Sequence, residues 1–158
     1  MNWFEALAGI RFAEAKSCLS AYDPIADVRF IGDNAPNRGA KAMRAELKSL
    51  SSVDVDLATY APQDEAFCIE VTAEIGPLGE SGAEMFQFQV CSPGWLSLEL
   101  ESDAIISGRH RFFMSRYNYE ALEAYVLKRV RQAEGADWCS VAEKLGRWGY
   151  WEFEDYQA

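Results

Sequence analysis

The sequence predicts an α+β domain in which an antiparallel sheet is covered on one face by two C-terminal helices. Several segments between residues 44 and 117 alternate apolar and polar side chains, which is the spacing of half-buried strands. After Asn118 the apolar residues recur at intervals of three and four, which is the spacing of helices packed on a core. With 158 residues, of which 13% are aromatic, the chain can bury one substantial core.

The first 42 residues differ from the rest in charge and composition. They hold five basic and five acidic residues, so residues 43–158 carry ten basic and twenty acidic residues and the whole net charge of −10. Residues 2–21 suit a helix capped by Asn2, and the run rich in Gly, Asn and Pro at 32–39 is typical of a linker. We therefore predict a domain at 43–158 and an N-terminal extension at 1–42, which is either a helix plus linker or the product of an upstream translation start.

A first strand is predicted at 44–50, followed by a hairpin of residues 67–75 and 83–91. One register of this hairpin places Val71 opposite Phe88 on an apolar face and Glu70 opposite Gln89 on a polar face. A shift by one residue would mix the two faces, so the hydrophobic pattern specifies the register.

The same register places Cys68 opposite Cys91 on the polar face. The pair is either a redox-active dithiol or a coincidence in a reducing compartment, where disulfides are rare. The four cysteines have no Cys-x-x-Cys spacing and His110 is the single histidine, so the usual ligands of a zinc site are missing. We expect reduced thiols, no metal and no cofactor.

The C-terminal part is predicted to contain a further strand at 107–117 and two amphipathic helices. Asn118 is the expected cap of the first helix, which ends at Gly135. Asp137 is the expected cap of the second, which ends at Gly146.

Aromatic and acidic residues alternate in the final segment, from Tyr150 onward. If the segment is extended, Trp151 and Phe153 face one side while Glu152 and Glu154 face the other. We expect the aromatic side chains to hold this terminus on the domain and to display the acidic residues beside it.

Charge and motifs exclude several classes of function. A strongly acidic protein repels nucleic acid and acidic membrane surfaces but attracts basic protein surfaces. Since the sequence has no apolar run long enough to cross a bilayer and no secretory signal, we expect a cytoplasmic protein. It also lacks a nucleophile with a recognisable base, a P-loop and a dinucleotide-binding glycine motif, so no catalytic residue is assigned.

Five short strings nevertheless occur in a familiar order: Met-Arg-Ala-Glu-Leu at 43–47, Cys-Ser-Pro-Gly-Trp-Leu at 91–96, Gly-Arg-His at 108–110, Asp-Trp at 137–138 with Ala-Glu-Lys-Leu-Gly at 142–146, and Trp-Glu-Phe-Glu-Asp-Tyr at 151–156. Together they resemble the immunity protein 8 family of bacterial polymorphic toxin systems over residues 43–158. The resemblance implies a small non-enzymatic protein that binds a cognate toxin encoded nearby and so protects the producing cell. It does not identify the chemistry of the toxin.

The motif residues are interpreted as structural: Cys91, Pro93, Trp95, Gly108, Arg109, Trp138, Gly146, Trp151 and Glu152. Among them Trp95 and Trp138 are expected in the core, Pro93 in a turn, and Arg109 beside a carboxylate such as Glu152. Toxin contacts are expected from exposed acidic and aromatic residues, for which the candidates are Asp64, Glu65, Glu80, Glu84, Glu99, Glu101, Asp103, Glu154, Asp155 and Tyr156.

Three functions compete at this point. The first is an immunity protein whose acidic face occludes a basic active-site cleft of its toxin. The second is an acidic DNA mimic that inhibits many nucleic-acid enzymes through charge alone. The third is a small enzyme with an unrecognised site, for which His110 and Arg109 are the residues to test.

Overall fold

A computed structural model describes residues 42–154 of the chain. The described part contains six strands and three helices, which we number in chain order: β1 Met43–Ser51, β2 Cys68–Pro77, β3 Glu84–Cys91, α1 Pro93–Ser102, β4 Arg111–Phe113, α2 Tyr119–Arg131, β5 Glu134–Gly135, α3 Trp138–Gly146 and β6 Tyr150–Trp151. The predicted helix at 2–21, the linker at 32–39 and the boundary at Met43 rest on residues 1–41, which lie outside this description, so they stay predictions.

The strands form one mixed sheet in the order β4-β3-β2-β1-β5. The β1–β2 and β2–β3 pairs are antiparallel, while β4 runs parallel to β3. The outer edge of β3 is shared by two short strands, because β4 pairs with its C-terminal half and β6 pairs with Phe86 and Gln87. This arrangement protects most of an edge that would otherwise expose unpaired backbone groups.

The predicted hairpin and its register are confirmed. Val71 lies opposite Phe88, Glu70 opposite Gln89 and Cys68 opposite Cys91. The predicted first strand is also present as β1, which contains a bulge between Leu47 and Ser49.

A single core forms on the apolar face of the sheet. β2 and β3 contribute Val71, Ala73, Phe86 and Phe88, all buried. The helices α2 and α3 add buried residues at helical spacing, namely Leu122, Val126, Val130, Val141, Ala142 and Leu145. The predicted α+β class is therefore confirmed, and both α2 and α3 pack on the core.

The predicted caps of both helices are correct. The side chain of Asn118 accepts a hydrogen bond from the N–H of Ala121 at 2.7 Å, and that of Asp137 accepts one from Ser140 at 2.8 Å. The first helix ends earlier than predicted, at Arg131, because residues 134–135 pair with β1 as the short strand β5.

Three other predictions about the fold are wrong. The sheet is mixed rather than antiparallel, and a third helix, α1, follows β3 where Pro93 and Gly94 suggested a turn. This helix reverses the chain, so β4 runs parallel to β3, as a crossover requires. The strand predicted at 107–117 is reduced to β4, since His110 takes a positive φ of 56° that interrupts an extended chain.

Candidate functional site

The face of the sheet opposite the core, which we call the polar sheet face, is partly or fully exposed except at one end, where Cys91 is buried. Away from that end it consists of Glu46, Ser49, Ser51, Glu70, Thr72, Glu74, Met85, Gln87, Gln89, Arg111, Phe113 and Tyr150. Its side chains alternate with those of the core, as the two-residue period of a strand requires. Neither α2 nor α3 covers it, because both contribute to the core on the other side.

Helix α1 begins at one end of the polar sheet face, where Ser92 holds it. The buried Ser92 hydroxyl accepts hydrogen bonds from the N–H groups of Phe67 and Trp95, both at 3.0 Å. The Trp95 ring lies against the guanidinium of Arg111, whose Cζ is 5.7 Å from the ring centre. Trp95 therefore fixes the helix to β4 and is only half-buried, rather than a core residue as predicted.

The rest of α1 is partly or fully exposed, and none of its ten residues is buried. Leu98 is 54% exposed and Leu100 is 46% exposed. Ile105, in the segment that follows the helix, is 89% exposed. Three large apolar side chains are therefore exposed within a short stretch of the chain, which points to a contact surface.

Cys68 and Cys91 lie beneath the start of α1, with their sulfur atoms 2.8 Å apart and both thiols free. Burial raises the pKa of Cys68, and the nearby charges of Glu99 and Asp54 act in the same direction. Burial also raises the pKa of Cys91, and the Cys68 thiol adds to this effect. Both groups are therefore held as poorly nucleophilic thiols, which favours a packing role over rapid redox chemistry.

A shallow open depression of ≈ 280 Å³ lies between β4 and β6, and its lining includes His110 and both neighbouring arginines. The His110 ring nitrogen Nε2 lies 3.1 Å from the Gly146 carbonyl oxygen. Arg111 donates from Nε to the Gln89 side chain at 2.7 Å, and Arg109 pairs with Glu154. His110, Arg109 and Arg111 therefore already have partners within the fold.

The C-terminal segment is docked, as predicted, as far as the described residues extend. Trp151 stacks on Phe86, and its ring N–H donates to Glu84 at 2.7 Å. Glu152 accepts a hydrogen bond from the N–H of Met85 at 2.9 Å. Arg109 is paired with a carboxylate, as expected, but the partner is Glu154 rather than Glu152, because the chain turns after β6 and brings Glu154 to Arg109.

The remaining motif residues are placed as follows. Trp138 is partly buried against the core, Gly146 is buried at the end of α3, and Gly108 and Pro93 are exposed. Cys91 is fully buried.

The model of the immunity protein 8 family matches residues 45–156. The chain belongs to this family. Membership implies a non-enzymatic role and a toxin as the partner. Neither the curated proteins nor the solved structures contain a significant match to the chain.

In this immunity protein 8 family member, five of the nine candidate toxin-binding acids lie on or near α1. Glu99 is half-buried on the helix, while Glu101 and Asp103 are exposed at its C-terminal end. The backbone of Glu65 lies against Gly94 in the first turn, and the neighbouring Asp64 is exposed.

The other described candidates, Glu80, Glu84 and Glu154, lie apart from α1. Glu80 is exposed in the β2–β3 connection, at the opposite end of the hairpin. Glu84 accepts the Trp151 hydrogen bond, and Glu154 pairs with Arg109, so both take part in holding the C-terminal segment. Asp155 and Tyr156 lie outside the described residues.

Sequence reasoning missed the apolar members of the surface around α1. The leucines of α1 occur at every second residue, at positions 96, 98 and 100. In a helix this spacing places Leu98 on the side opposite Leu96 and Leu100, so one packing surface cannot bury all three. Recognising the helix was the necessary step, and Ser92 followed by Pro93 is the usual signal for its start.

Across residues 42–154, His, Cys, Asp and Glu side chains nowhere form a group of three suited to a metal ion. The three described helices are all too short or too polar to traverse a bilayer.

Proposed function

We propose that this protein binds a cognate toxin domain encoded beside its gene and neutralises it by occluding a basic active-site cleft. The proposal is supported mainly by the exposure of α1. This helix displays carboxylates and leucines on a domain of the immunity protein 8 family. Such a mixture of apolar and charged side chains suits the centre of a protein–protein contact better than a solvated surface.

The charge of the surface supports a basic partner. Residues 93–107 contain three acidic and no basic residues, and the whole chain has a net charge of −10. A surface of this sign raises the association rate with a basic patch and disfavours acidic partners. Enzymes that act on nucleic acid have basic clefts, since they must hold phosphate backbones, so a nuclease-like toxin fits this surface.

The test is a co-expression rescue. The C-terminal domain of the neighbouring toxin gene is expressed in a susceptible strain, alone, with the full chain, or with residues 43–158. We expect survival and co-purification of the two proteins with both forms. If a toxin that kills on its own is not countered by either form, the proposal fails.

The same experiment tests the N-terminal extension. Rescue by residues 43–158 is expected if the domain is complete without residues 1–42. Rescue by the full chain alone would mean that the extension belongs to the working protein.

A general DNA mimic is the alternative that the net charge favours. A mimic would inhibit unrelated nucleases at similar concentrations, whereas an immunity protein inhibits its own toxin. Purified protein assayed against a panel of unrelated nucleases separates the two. We expect no inhibition of the panel at concentrations that abolish toxin activity.

For the enzymatic alternative, the residues to test are His110 and Arg109, which line the depression and already contact other parts of the fold. Turnover by purified protein that is lost in a folded His110→Ala variant would support it. We expect no turnover.

A further inference from the structure

Within the proposed function, we propose that α1 is the inhibitory element: it enters the toxin's cleft as a wedge, with Leu98 and Leu100 against opposite walls and Glu101 directed at a basic floor. This inference depends on the proposed function but is more specific. The cleft it requires has apolar walls and at least one Lys or Arg at its base.

The positions of the side chains around the helix give the wedge its shape. Trp95 and Glu99 are half-buried and therefore define the side of α1 that faces the domain. With about 100° per residue, Leu98 and Leu100 are separated by about 200° and lie on the two flanks. Glu101 lies between them on the outward side and is exposed. A helix with leucines on two opposite sides and a carboxylate on its outward side can make more contacts in a cleft of the partner than on a flat partner surface.

The charges on α1 do not serve the stability of the helix. Glu99 and Glu101 lie in its last turn and Asp103 is the C-cap, with no basic residue in that turn. Carboxylates at this end face the negative pole of the helix dipole and weaken the helix. A basic partner would remove this repulsion, so the acids are better explained by binding than by folding.

The helix is held in place before any partner arrives. Ser92 fixes its first turn to the sheet, and Trp95 packs on Arg111. Gly94 allows close contact with the segment before β2, because a Cβ at this position would lie 3.2 Å from the Glu65 carbonyl oxygen. A preorganised element loses little conformational entropy on binding, which favours tight association.

The same chemistry argues against a second copy of this chain as the occupant. Two α1 surfaces brought together would juxtapose three acidic residues from each copy without a basic residue between 93 and 107 to pair with them. Like charges in contact disfavour such a self-association. A toxin with a basic floor is the occupant that satisfies both the leucines and the carboxylate.

The experiment measures binding kinetics between the full-length protein and the toxin domain, inactivated at its active site. The double variant Leu98→Ala/Leu100→Ala is expected to weaken binding by ~100-fold or more, mainly through a faster dissociation rate. Glu101→Lys is expected to weaken it by a similar factor, since it places a cation against the basic floor. All three side chains are exposed, so both variants should keep the wild-type circular dichroism spectrum and unfolding temperature.

Matched controls lie away from α1. Leu78, at the other end of the β2–β3 hairpin, is 54% exposed, like Leu98, and Glu143 on α3 is exposed, like Glu101. Leu78→Ala and Glu143→Lys are expected to change affinity by less than ~3-fold, because surface substitutions outside an interface centre are nearly neutral.

The outcomes separate the inference from the proposed function. If wild-type protein does not bind the toxin, the proposed function fails and the wedge fails with it. If wild-type protein binds but both α1 variants bind equally well, while Glu70→Lys/Glu74→Lys on the polar sheet face abolishes binding, only the wedge is overturned. Dimerisation of the free protein that the leucine substitutions abolish would assign α1 to self-association and would also overturn it.

Discussion

Ser92 is the residue on which the position of α1 depends most directly. Its hydroxyl caps the helix and at the same time satisfies the backbone N–H of Phe67, inside a fully buried site. Ser92→Ala removes the cap and leaves a buried donor without a partner, so we expect a loss of about 2–4 kcal/mol in the free energy of unfolding. Urea denaturation measures the loss.

The control for this prediction is Ser97→Ala. Ser97 lies in the same helix but is exposed, and its hydroxyl donates to the Pro93 carbonyl at 3.0 Å. We expect a change within about 0.5 kcal/mol, as for most exposed positions. A Ser92→Ala protein as stable as this control would contradict the assigned role of the cap.

Tyr117 should give the protein a distinct response to alkaline pH. Its hydroxyl donates to the Leu57 carbonyl at 2.7 Å, and burial raises the pKa of Tyr117 to about 12. Because the folded state favours the neutral phenol, the stability that this raised pKa contributes is complete below pH ~10 and is lost as the pH rises from ~10 to ~12.

Absorbance at 295 nm and urea denaturation test this prediction. We expect one tyrosine that ionises near pH 12, which is absent from Tyr117→Phe. The stability of wild type should also fall faster with pH than that of the variant across this window. Equal pH dependence of the two proteins would contradict the assignment.

Among the elements, the hairpin was predicted from the sequence, whereas α1 was missed although Ser92 followed by Pro93 signals its start. Strict alternation on both hairpin strands leaves one register that separates apolar from polar residues, so Val71 had to lie opposite Phe88. The leucines of α1 occur at every second residue, which resembles the spacing of a strand. No residue of this helix is buried, so its sequence lacks the apolar spacing of three and four residues that marks a packed helix. Strand β4 was predicted too long because a positive φ at His110 is not visible in an apolar–polar pattern.

The β2–β3 connection depends on a close backbone approach at Gly76. A Cβ at this position would lie 2.1 Å from the carbonyl oxygen of Gly82, which is backbone and cannot move aside without distorting the hairpin. We expect Gly76→Ala to lower the free energy of unfolding by about 2–3 kcal/mol.

Gly108 provides the matched control, since a Cβ there meets nothing within 4 Å. Gly108→Ala is expected to change stability by less than about 0.5 kcal/mol. Thermal unfolding of the two variants beside wild type measures both effects. If the two alanine variants had the same unfolding temperature, the close approach would not be a constraint on the hairpin.

At the scale of the whole molecule, the candidate site was only partly predictable because it combines two kinds of residue. The acids Glu99, Glu101 and Asp103 were candidates from charge alone, and the structure places them on one helix. Leu98 and Leu100 became candidates only when their exposure was known. Glu84 and Glu154, which charge also suggested, hold the C-terminal segment, because the fold brings a donor to each of them.

The net charge of −10 should affect mainly the rate constant for association with the toxin. Long-range attraction is screened by salt, whereas contacts already formed between desolvated groups are screened much less. We therefore expect the association rate constant to fall ~10-fold or more between ~50 mM and ~500 mM NaCl, with a change of less than ~3-fold in the dissociation rate constant. Stopped-flow mixing with the inactivated toxin domain measures both rates.

The contribution of each acidic residue to the association rate should depend on its distance from α1. Asp103→Asn, at the exposed end of α1, is expected to lower the association rate ~2-fold and to reduce its salt dependence, while Glu143→Gln, exposed on α3, should change neither. Both variants remove one negative charge. A difference between their association rates must therefore come from the position of that charge and not from the net charge. Association that is indifferent to salt would argue instead for a mainly apolar interface, in which the leucines of α1 supply the recognition and the toxin's cleft need not be basic.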